Sequence, residues 1–120
     1  HLDLFGAAAS TSGSVDLLKK TFSWNYKEMI LGDTICCKKN WIENSVIAMT
    51  DRLKPGELAL HLDCGTEDDL YLPNQSLHEK WNAMGIEHIY AEAPGKHDAG
   101  YWNKSIDSIL IFIHRFFDKK

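Results

Sequence analysis

The stretch that decides the fold is residues 58–102, LALHLDCGTEDDLYLPNQSLHEKWNAMGIEHIYAEAPGKHDAGYW. It begins with a short, mostly apolar run at 58–64, which predicts a strand, and this run leads directly into an acidic turn at 65–70. A second short strand is predicted at 86–91, and the chain then continues through a Pro-Gly loop to His97. Each predicted strand therefore ends next to a polar side chain that can take part in chemistry.

Helical patterns alternate with these strands. Residues 46–53 follow a possible N-cap at Asn44 or Ser45, and a Pro-Gly pair stops that helix before the first strand. A second helix is predicted between the strands and ends at Gly85. A third covers about 101–118, with its apolar side expected to pack along one face of the sheet. Because strands and helices alternate, the sequence predicts an α/β fold with about three parallel strands and right-handed crossovers.

The amino-terminal region is less regular. The run of small residues at 5–14 predicts a buried parallel strand, which would need neighbours on both sides, so we expect the chain to start in the middle of a domain. A short helix is predicted at 25–31 with Gly32 as its stop, inside an irregular excursion where Trp24 and Trp41 serve as packing anchors.

Composition limits the classes of function. The 120 residues are 44% apolar and 25% charged, as in ordinary soluble domains, so we expect one domain. A formal charge of −4 and scattered short Lys pairs provide no basic surface for phosphate backbones, so nucleic acid is not an expected partner. No apolar run approaches the roughly 20 residues that cross a bilayer, and no signal-peptide pattern is present, so no membrane association is expected.

Three cysteines are present, and we interpret all of them as free thiols. Cys36 and Cys37 are adjacent, which should place their sulfurs in poor geometry for a bridge. Cys64 is distant in sequence, and no second pair of ligands has the spacing of a zinc site, so neither a metal nor another cofactor is expected. Free thiols favour a reducing compartment such as the cytoplasm, although the sequence does not determine the compartment.

Asp68 and His97 are the candidate catalytic residues. In open parallel sheets, functional residues gather beyond the carboxyl ends of the strands, where both are predicted to lie. A carboxylate that accepts a hydrogen bond from His Nδ1 fixes the tautomer and leaves Nε2 to take a proton from a hydroxyl nucleophile. Considered without further information, the acidic run of Glu67, Asp68 and Asp69 could equally be a solvated turn, and His97 could be a surface loop residue.

The sequence resembles the esterase D-like branch of the α/β-hydrolases over nearly its whole length. The most specific matches are Asp63-Cys64-Gly65-Thr66-Glu67-Asp68 and Gly95-Lys96-His97-Asp98 followed by Tyr101-Trp102; residues 1–10 and 44–47 also match, and Lys96 stands where many relatives have a small residue. This resemblance implies that Asp68 is the acid of a catalytic triad and His97 its base. We interpret Asp63 as a polar residue at a strand end and assign structural roles to His61, His78, His88 and His114.

The family's nucleophile motif, Gly-x-Ser-x-Gly, does not occur in these 120 residues. Ser10, Ser12 and Ser14 do not replace it, because they end a predicted strand and do not open an elbow. The donors of the oxyanion hole would also come from an earlier part of the fold. We therefore expect residues 1–120 to be the carboxyl-terminal portion of an α/β-hydrolase domain, without the half that carries the nucleophile.

The resemblance implies a serine carboxylesterase that acts on a small-molecule ester, and predicts that this segment alone is inactive. Trp102 is a candidate for lining the substrate pocket, with packing in the first turn of a helix as the alternative. A different hypothesis is a non-catalytic α/β interaction module that self-associates through the edge of its amino-terminal strand. A nucleophile elbow encoded upstream of His1 would distinguish the enzyme from the module.

Overall fold

The computed structural model describes residues 1–19 and 25–118. Three parallel strands, β1 (Ala7–Thr11), β2 (Ala59–Gly65) and β3 (Ile89–Ala93), form one sheet in the order β1-β2-β3. The helices are α1 (Asn25–Leu31), α2 (Lys38–Glu43), α3 (Val46–Met49), α4 (Tyr71–Ala83) and α5 (Ala99–Asp118), with a short 3-10 helix at Thr50–Arg52. The predicted α/β class with parallel strands is confirmed.

The central strand β2 separates two different layers. On one face, Leu60 and Leu62 pack into the hydrophobic core with Leu77 and Trp81 of α4. Because side chains alternate along a strand, His61 and Asp63 point to the opposite face, which α5 covers. One face of β2 is therefore apolar and the other is polar, although both are buried.

The helix α5 packs on the sheet through fewer apolar residues than the sequence predicts. Its buried residues are Tyr101, Ser105 and Phe112. A second row of large apolar side chains, at i, i+4 and i+8, is at least one third exposed: Trp102, Ile106 and Leu110. The reason is that the apolar surface of α5 is wider than the part of the sheet that it contacts.

The prediction that the amino-terminal strand is buried is wrong. The strand β1 pairs with β2 along one edge, with Ala7 opposite Ala59 and Thr11 opposite Asp63, but Ala8 and Ala9 are exposed. Within the described residues no strand pairs with the other edge of β1. Small side chains in a strand predict close packing only if a neighbouring layer is present to provide it.

The excursion between β1 and β2 contains more helix than expected. The short helix α1 and its stop at Gly32, which has a φ of +79°, are confirmed. However, α2 was not predicted, and the expected helix at 46–53 is only one α-helical turn followed by the 3-10 helix. Trp41 is buried and its indole N–H donates to the Gly32 carbonyl at 2.8 Å, whereas Trp24 lies outside the described residues.

The end of α4 follows its prediction closely. Gly85 has a φ of +68°, its N–H donates to the carbonyl of Asn82, and the N–H of Ile86 donates to the carbonyl of Trp81. These two bonds form a Schellman motif, which satisfies the last carbonyls of the helix. Ile86 therefore belongs to the helix end and the core, and β3 starts three residues later than expected.

The cysteines are free thiols, as predicted, and the adjacent pair is not bridged. The sulfur atoms of Cys36 and Cys37 lie side by side at 2.6 Å in the turn before α2. Cys64 is buried in β2.

Among the described helices, none combines the length and the apolar character that a bilayer-spanning segment needs.

The core can be tested with two leucines of the same helix. Leu77 has no exposed surface and packs against β2, whereas Leu72 is 68% exposed. We expect Leu77→Ala to lower the free energy of unfolding by about 2–5 kcal/mol, because it leaves a cavity in the core. The matched control Leu72→Ala should change it by less than about 0.5 kcal/mol. Urea unfolding measures both, and equal effects would contradict the described position of α4.

Candidate active site

The acidic turn brings Asp68 into a buried position directly after β2. The N–H of Asp68 donates to the carbonyl of Gly65, and the Asp68 carbonyl accepts from the N–H of Tyr71, so the turn leads tightly into α4. The Asp68 side chain has no exposed surface. Its Oδ1 accepts a hydrogen bond from the N–H of Leu70 at 2.8 Å, which compensates part of the cost of burying a carboxylate.

The histidine loop follows β3 in the same way. It starts after Ala93 and ends at Asp98, the residue that precedes α5. The Asp98 carboxylate accepts the N–H of Tyr101 at 3.1 Å, as an N-cap side chain does, and the backbone N–H of Asp98 donates to the carbonyl of Lys96 at 2.8 Å. His97 is therefore held between a strand end and a capped helix start.

Direct contacts join the two loops. The N–H groups of Thr66 and Glu67 donate to the carbonyls of Ala93 and Gly95, both at 3.0 Å. Gly65 lies so close to Gly95 that a Cβ on Gly65 would collide with the Gly95 carbonyl. A glycine is needed at position 65 because its Cα lies against the backbone of the other loop.

Tyr101 closes this junction from the α5 side. A Cβ on Gly95 would lie 2.6 Å from the Tyr101 ring, so the ring packs directly on the histidine loop. Burial raises the pKa of the Tyr101 hydroxyl, and the negative charge of Asp63 raises it further. Tyr101 therefore stays neutral and acts as a packing residue of the junction.

The structure brings Asp68 and His97 together, as the sequence predicts. His97 Nδ1 lies 3.0 Å from Asp68 Oδ2 and 3.3 Å from Oδ1, so the ring N–H donates to the carboxylate. A carboxylate in this position can set the histidine tautomer and stabilise an imidazolium, as the acid of a catalytic triad does for its base.

Trp102 lies beside the pair. Its indole meets the His97 ring edge to face, with ring centres 5.1 Å apart and planes at 90°, and the residue is 37% exposed. Trp102 is therefore at the rim of the site, where its apolar surface is accessible.

The other acidic candidates differ in position. Glu67 and Asp69 are exposed beside Asp68. The expectation that Asp63 is a polar residue at a strand end is wrong, because Asp63 is buried inside β2, where its Oδ1 accepts a hydrogen bond from Thr11 at 2.5 Å. Thr11 in turn bonds Ser105 of α5 at 2.9 Å. Sequence alone gave no signal for this cross-layer link, since the partners are far apart in the chain.

The remaining histidines make other contacts. His78 Nδ1 lies 2.7 Å from His88 Nε2, and His114 pairs with Asp118 at 3.1 Å. His61 is buried beneath Phe112, and its Nδ1 lies 3.7 Å from Asp63 Oδ2. Burial lowers the pKa of His61, and the charge of Asp63 only partly opposes this effect.

The buried thiol of Cys64 does not supply a nucleophile, and no metal centre is apparent in the described part of the chain. Burial raises the pKa of Cys64 to about 12, so this thiol remains protonated. Within residues 1–19 and 25–118, no three His, Cys, Asp or Glu side chains are arranged to hold a metal ion.

Known proteins that resemble this chain in sequence or in structure are esterases and other serine hydrolases. The chain is 26% identical over 99 residues to an acetyl esterase of Caldicellulosiruptor saccharolyticus, a match that covers 80% of this chain and 36% of that protein. No family model matches the sequence.

Solved structures share the fold. A ferulic acid esterase superposes with a TM-score of 0.74 at 24% identity, over 96% of this chain and 43% of its own. An S-formylglutathione hydrolase and a fluorophosphonate-binding serine hydrolase, both from Staphylococcus aureus, each give a TM-score of 0.72 at 22% identity, over 91% of this chain and 45% of theirs. The chain thus has an α/β-hydrolase fold and resembles esterases of that type, but spans less than half the length of these relatives.

The Asp68–His97 contact can be tested in the chain itself. We expect the wild-type imidazole to carry its proton on Nδ1, because the Asp68 carboxylate accepts it. In Asp68→Asn the amide can donate to Nδ1, so the population should shift toward the Nε2–H tautomer. Nitrogen chemical shifts of His97 measure the two forms. The matched control Asp69→Asn, which removes an exposed charge one residue away, should leave the tautomer unchanged, and an unchanged tautomer in Asp68→Asn would contradict the pairing.

The buried His61 predicts a pH dependence of stability. Its folded pKa is lowered, so the unfolded chain binds a proton first as the pH falls through the ordinary value of 6.5. We expect the free energy of unfolding to fall between about pH 7.5 and 5.5, by about 1.4 kcal/mol for each tenfold difference in proton affinity. This decrease in the free energy of unfolding should be smaller in His61→Asn. It should be unchanged in His114→Asn, because the His114 side chain is exposed. Urea titrations at the two pH values provide the measurement.

Proposed function

We propose that residues 1–120 are the carboxyl-terminal portion of a serine carboxylesterase domain and supply the acid and the base of its catalytic triad. The observation that carries this proposal is the hydrogen bond from His97 Nδ1 to the fully buried carboxylate of Asp68, between loops that follow two neighbouring parallel strands. A carboxylate without exposed side-chain surface that orients a partly exposed imidazole is the arrangement that general base catalysis requires.

In this mechanism His97 acts twice. Its Nε2 takes the proton from a serine hydroxyl as that oxygen attacks the ester carbonyl, and then gives the proton to the leaving alcohol. A water molecule, activated in the same way, hydrolyses the acyl-enzyme and releases the acid. Asp68 holds the ring orientation and stabilises the imidazolium that forms.

The nucleophile and the oxyanion hole would come from a segment outside these 120 residues. The sequence contains no Gly-x-Ser-x-Gly motif, and the structural relatives are more than twice as long as the region that they share with this chain. The open edge of β1 and the exposed apolar row on α5 support the same proposal, since both are surfaces that further strands and helices of such a domain would cover.

The substrate class follows from the names of the relatives and from one side chain. Relatives are called an acetyl esterase and a ferulic acid esterase, so a small-molecule carboxylic ester is the proposed substrate. The indole of Trp102, beside His97 and accessible at the rim, would supply an apolar wall for one side of that ester.

A second candidate is a non-catalytic module that self-associates. The exposed β1 edge favours it, because unpaired backbone groups of an edge strand can pair with a second copy of the same strand. In this case a homo-oligomer would form through β1, and the Asp68–His97 pair would be a structural remnant.

The two candidates differ in the native reading frame and in turnover. We expect the native reading frame to encode a nucleophile elbow upstream of His1, and its product to hydrolyse a short-chain nitrophenyl ester with saturation kinetics. His97→Gln and Asp68→Asn in that product should lower kcat by roughly 10³–10⁶-fold, because they remove the base and its orientation. Controls at exposed neighbours, Asp69→Asn and His114→Gln, should retain kcat within about twofold.

The segment of residues 1–120 alone should show only background hydrolysis, since it lacks the acyl-accepting group. Saturable turnover by this segment would contradict the fragment interpretation. A start codon directly before the codon of His1, with a dimer formed through β1, would support the module.

A further inference from the structure

Outside the candidate active site, the turn between α1 and α2 carries two adjacent thiols. Asp33 organises this turn: its Oδ1 accepts the N–H groups of Ile35 at 2.8 Å and Cys36 at 3.0 Å. Cys37 directly precedes α2. The turn is therefore defined by short-range hydrogen bonds, and both cysteines occupy fixed positions in it.

The two sulfur atoms are directed to the same place. They lie 2.6 Å apart, Cys36 is exposed, and the thiol of Cys36 also donates to Asp33 Oδ2 at 3.2 Å. Cys37 Sγ packs over the α-carbon of Gly32, where an added Cβ would be only 2.6 Å away. A residue without a side chain at Gly32 thus leaves the space that the sulfur of Cys37 occupies.

We propose that Cys36 and Cys37 form a thiol–disulfide exchange site, which reacts with low-molecular-weight disulfides and closes reversibly to a disulfide between adjacent residues. Nothing in the esterase mechanism uses these thiols, so the proposal stands independently of the proposed function.

The hydrogen bonds and charges of the turn indicate which of the two thiols reacts first. The hydrogen bonds of Cys36 to Cys37 and to Asp33, with the charges of these groups, raise the pKa of Cys36 to about 12, so Cys36 keeps its proton as long as Cys37 is a free thiol. Because the Cys36 thiol donates to Asp33 Oδ2, we assign Cys37 as the first nucleophile and Cys36 as the resolving thiol.

The exchange proceeds in two steps. The Cys37 thiolate attacks one sulfur of the small disulfide, the S–S bond breaks, and one small thiolate leaves and is protonated by water. Cys36 then loses its proton to solvent and attacks the Cys37 sulfur of the mixed disulfide, which expels the second small thiolate. In total, two cysteine thiols lose two electrons and two protons, and one small disulfide becomes two small thiols.

The closed form should be easily reduced. Consecutive Cα atoms are about 3.8 Å apart, whereas most disulfides join Cα atoms about 4.4–6.8 Å apart. A bridge between neighbours is therefore strained, and strained exposed disulfides are the labile ones. Reversibility is thus expected from the covalent geometry.

Cys64 provides an internal control. It is buried in β2, and burial raises its pKa to about 12, so it should not react in the folded chain.

The test is mass spectrometry of the folded chain after incubation with oxidised glutathione. Cleavage after Lys27 and Lys38 places Cys36 and Cys37 in one peptide, 28–38, separate from Cys64. We expect this peptide to lose two hydrogens and to regain them with excess reduced glutathione, while the Cys64 peptide stays unmodified.

Cysteine substitutions distinguish formation of the Cys36–Cys37 disulfide from simple modification of one thiol. Cys36→Ser removes the resolving thiol, so a stable mixed disulfide with glutathione should accumulate at Cys37, whereas Cys64→Ser should close like the wild type. Two mixed disulfides on the wild-type peptide, or no change in its mass, would overturn the proposal. Equal modification of Cys64 in the folded chain would overturn it as well, because the selectivity would then not come from the turn.

Discussion

The burial of the Asp68 carboxylate is the constraint on which the candidate site depends. A charge without solvent contact is costly unless hydrogen bonds compensate it, and here the Leu70 N–H and the His97 ring provide them. Leu70 lies in the same turn as Asp68, whereas His97 can reach the carboxylate only because β2 and β3 are adjacent and parallel, so that their carboxyl ends open onto one edge. The contact between Gly65 and Gly95 then brings the two loops within hydrogen-bonding distance.

Much of this arrangement could be predicted from the sequence because its signals are local. Apolar runs marked β2 and the neighbourhood of β3, Gly85 marked the end of α4, and the acidic and histidine motifs followed each strand in the order of an α/β-hydrolase. Asp68 was selected from three consecutive acidic residues by the resemblance alone. Burial distinguishes it physically, because its neighbours Glu67 and Asp69 are exposed.

What could not be predicted depends on contacts between distant segments. The sequence of β1 shows small side chains. Whether they are buried depends on a neighbouring layer of strands or helices, which the sequence of β1 does not reveal. The sequence suggests that Asp63 is a residue at a strand end. It does not show that Thr11 of another strand donates a hydrogen bond to Asp63. The positions of the Cys36 and Cys37 sulfur atoms depend on the turn formed by Asp33 and Gly32. The adjacency of the two cysteines in the sequence does not reveal that turn.

The two faces of β2 explain why such a small unit can hold Asp68 and His97 in place. The α4 face is apolar and supplies most of the hydrophobic stabilisation, whereas the α5 face is polar and joins β1, β2 and α5 through Thr11, Asp63 and Ser105. Hydrogen bonds are directional, so this second layer fixes the position of α5 more narrowly than apolar packing would. Since Tyr101 at the start of α5 packs on the histidine loop, the position of that helix also determines where His97 meets Asp68.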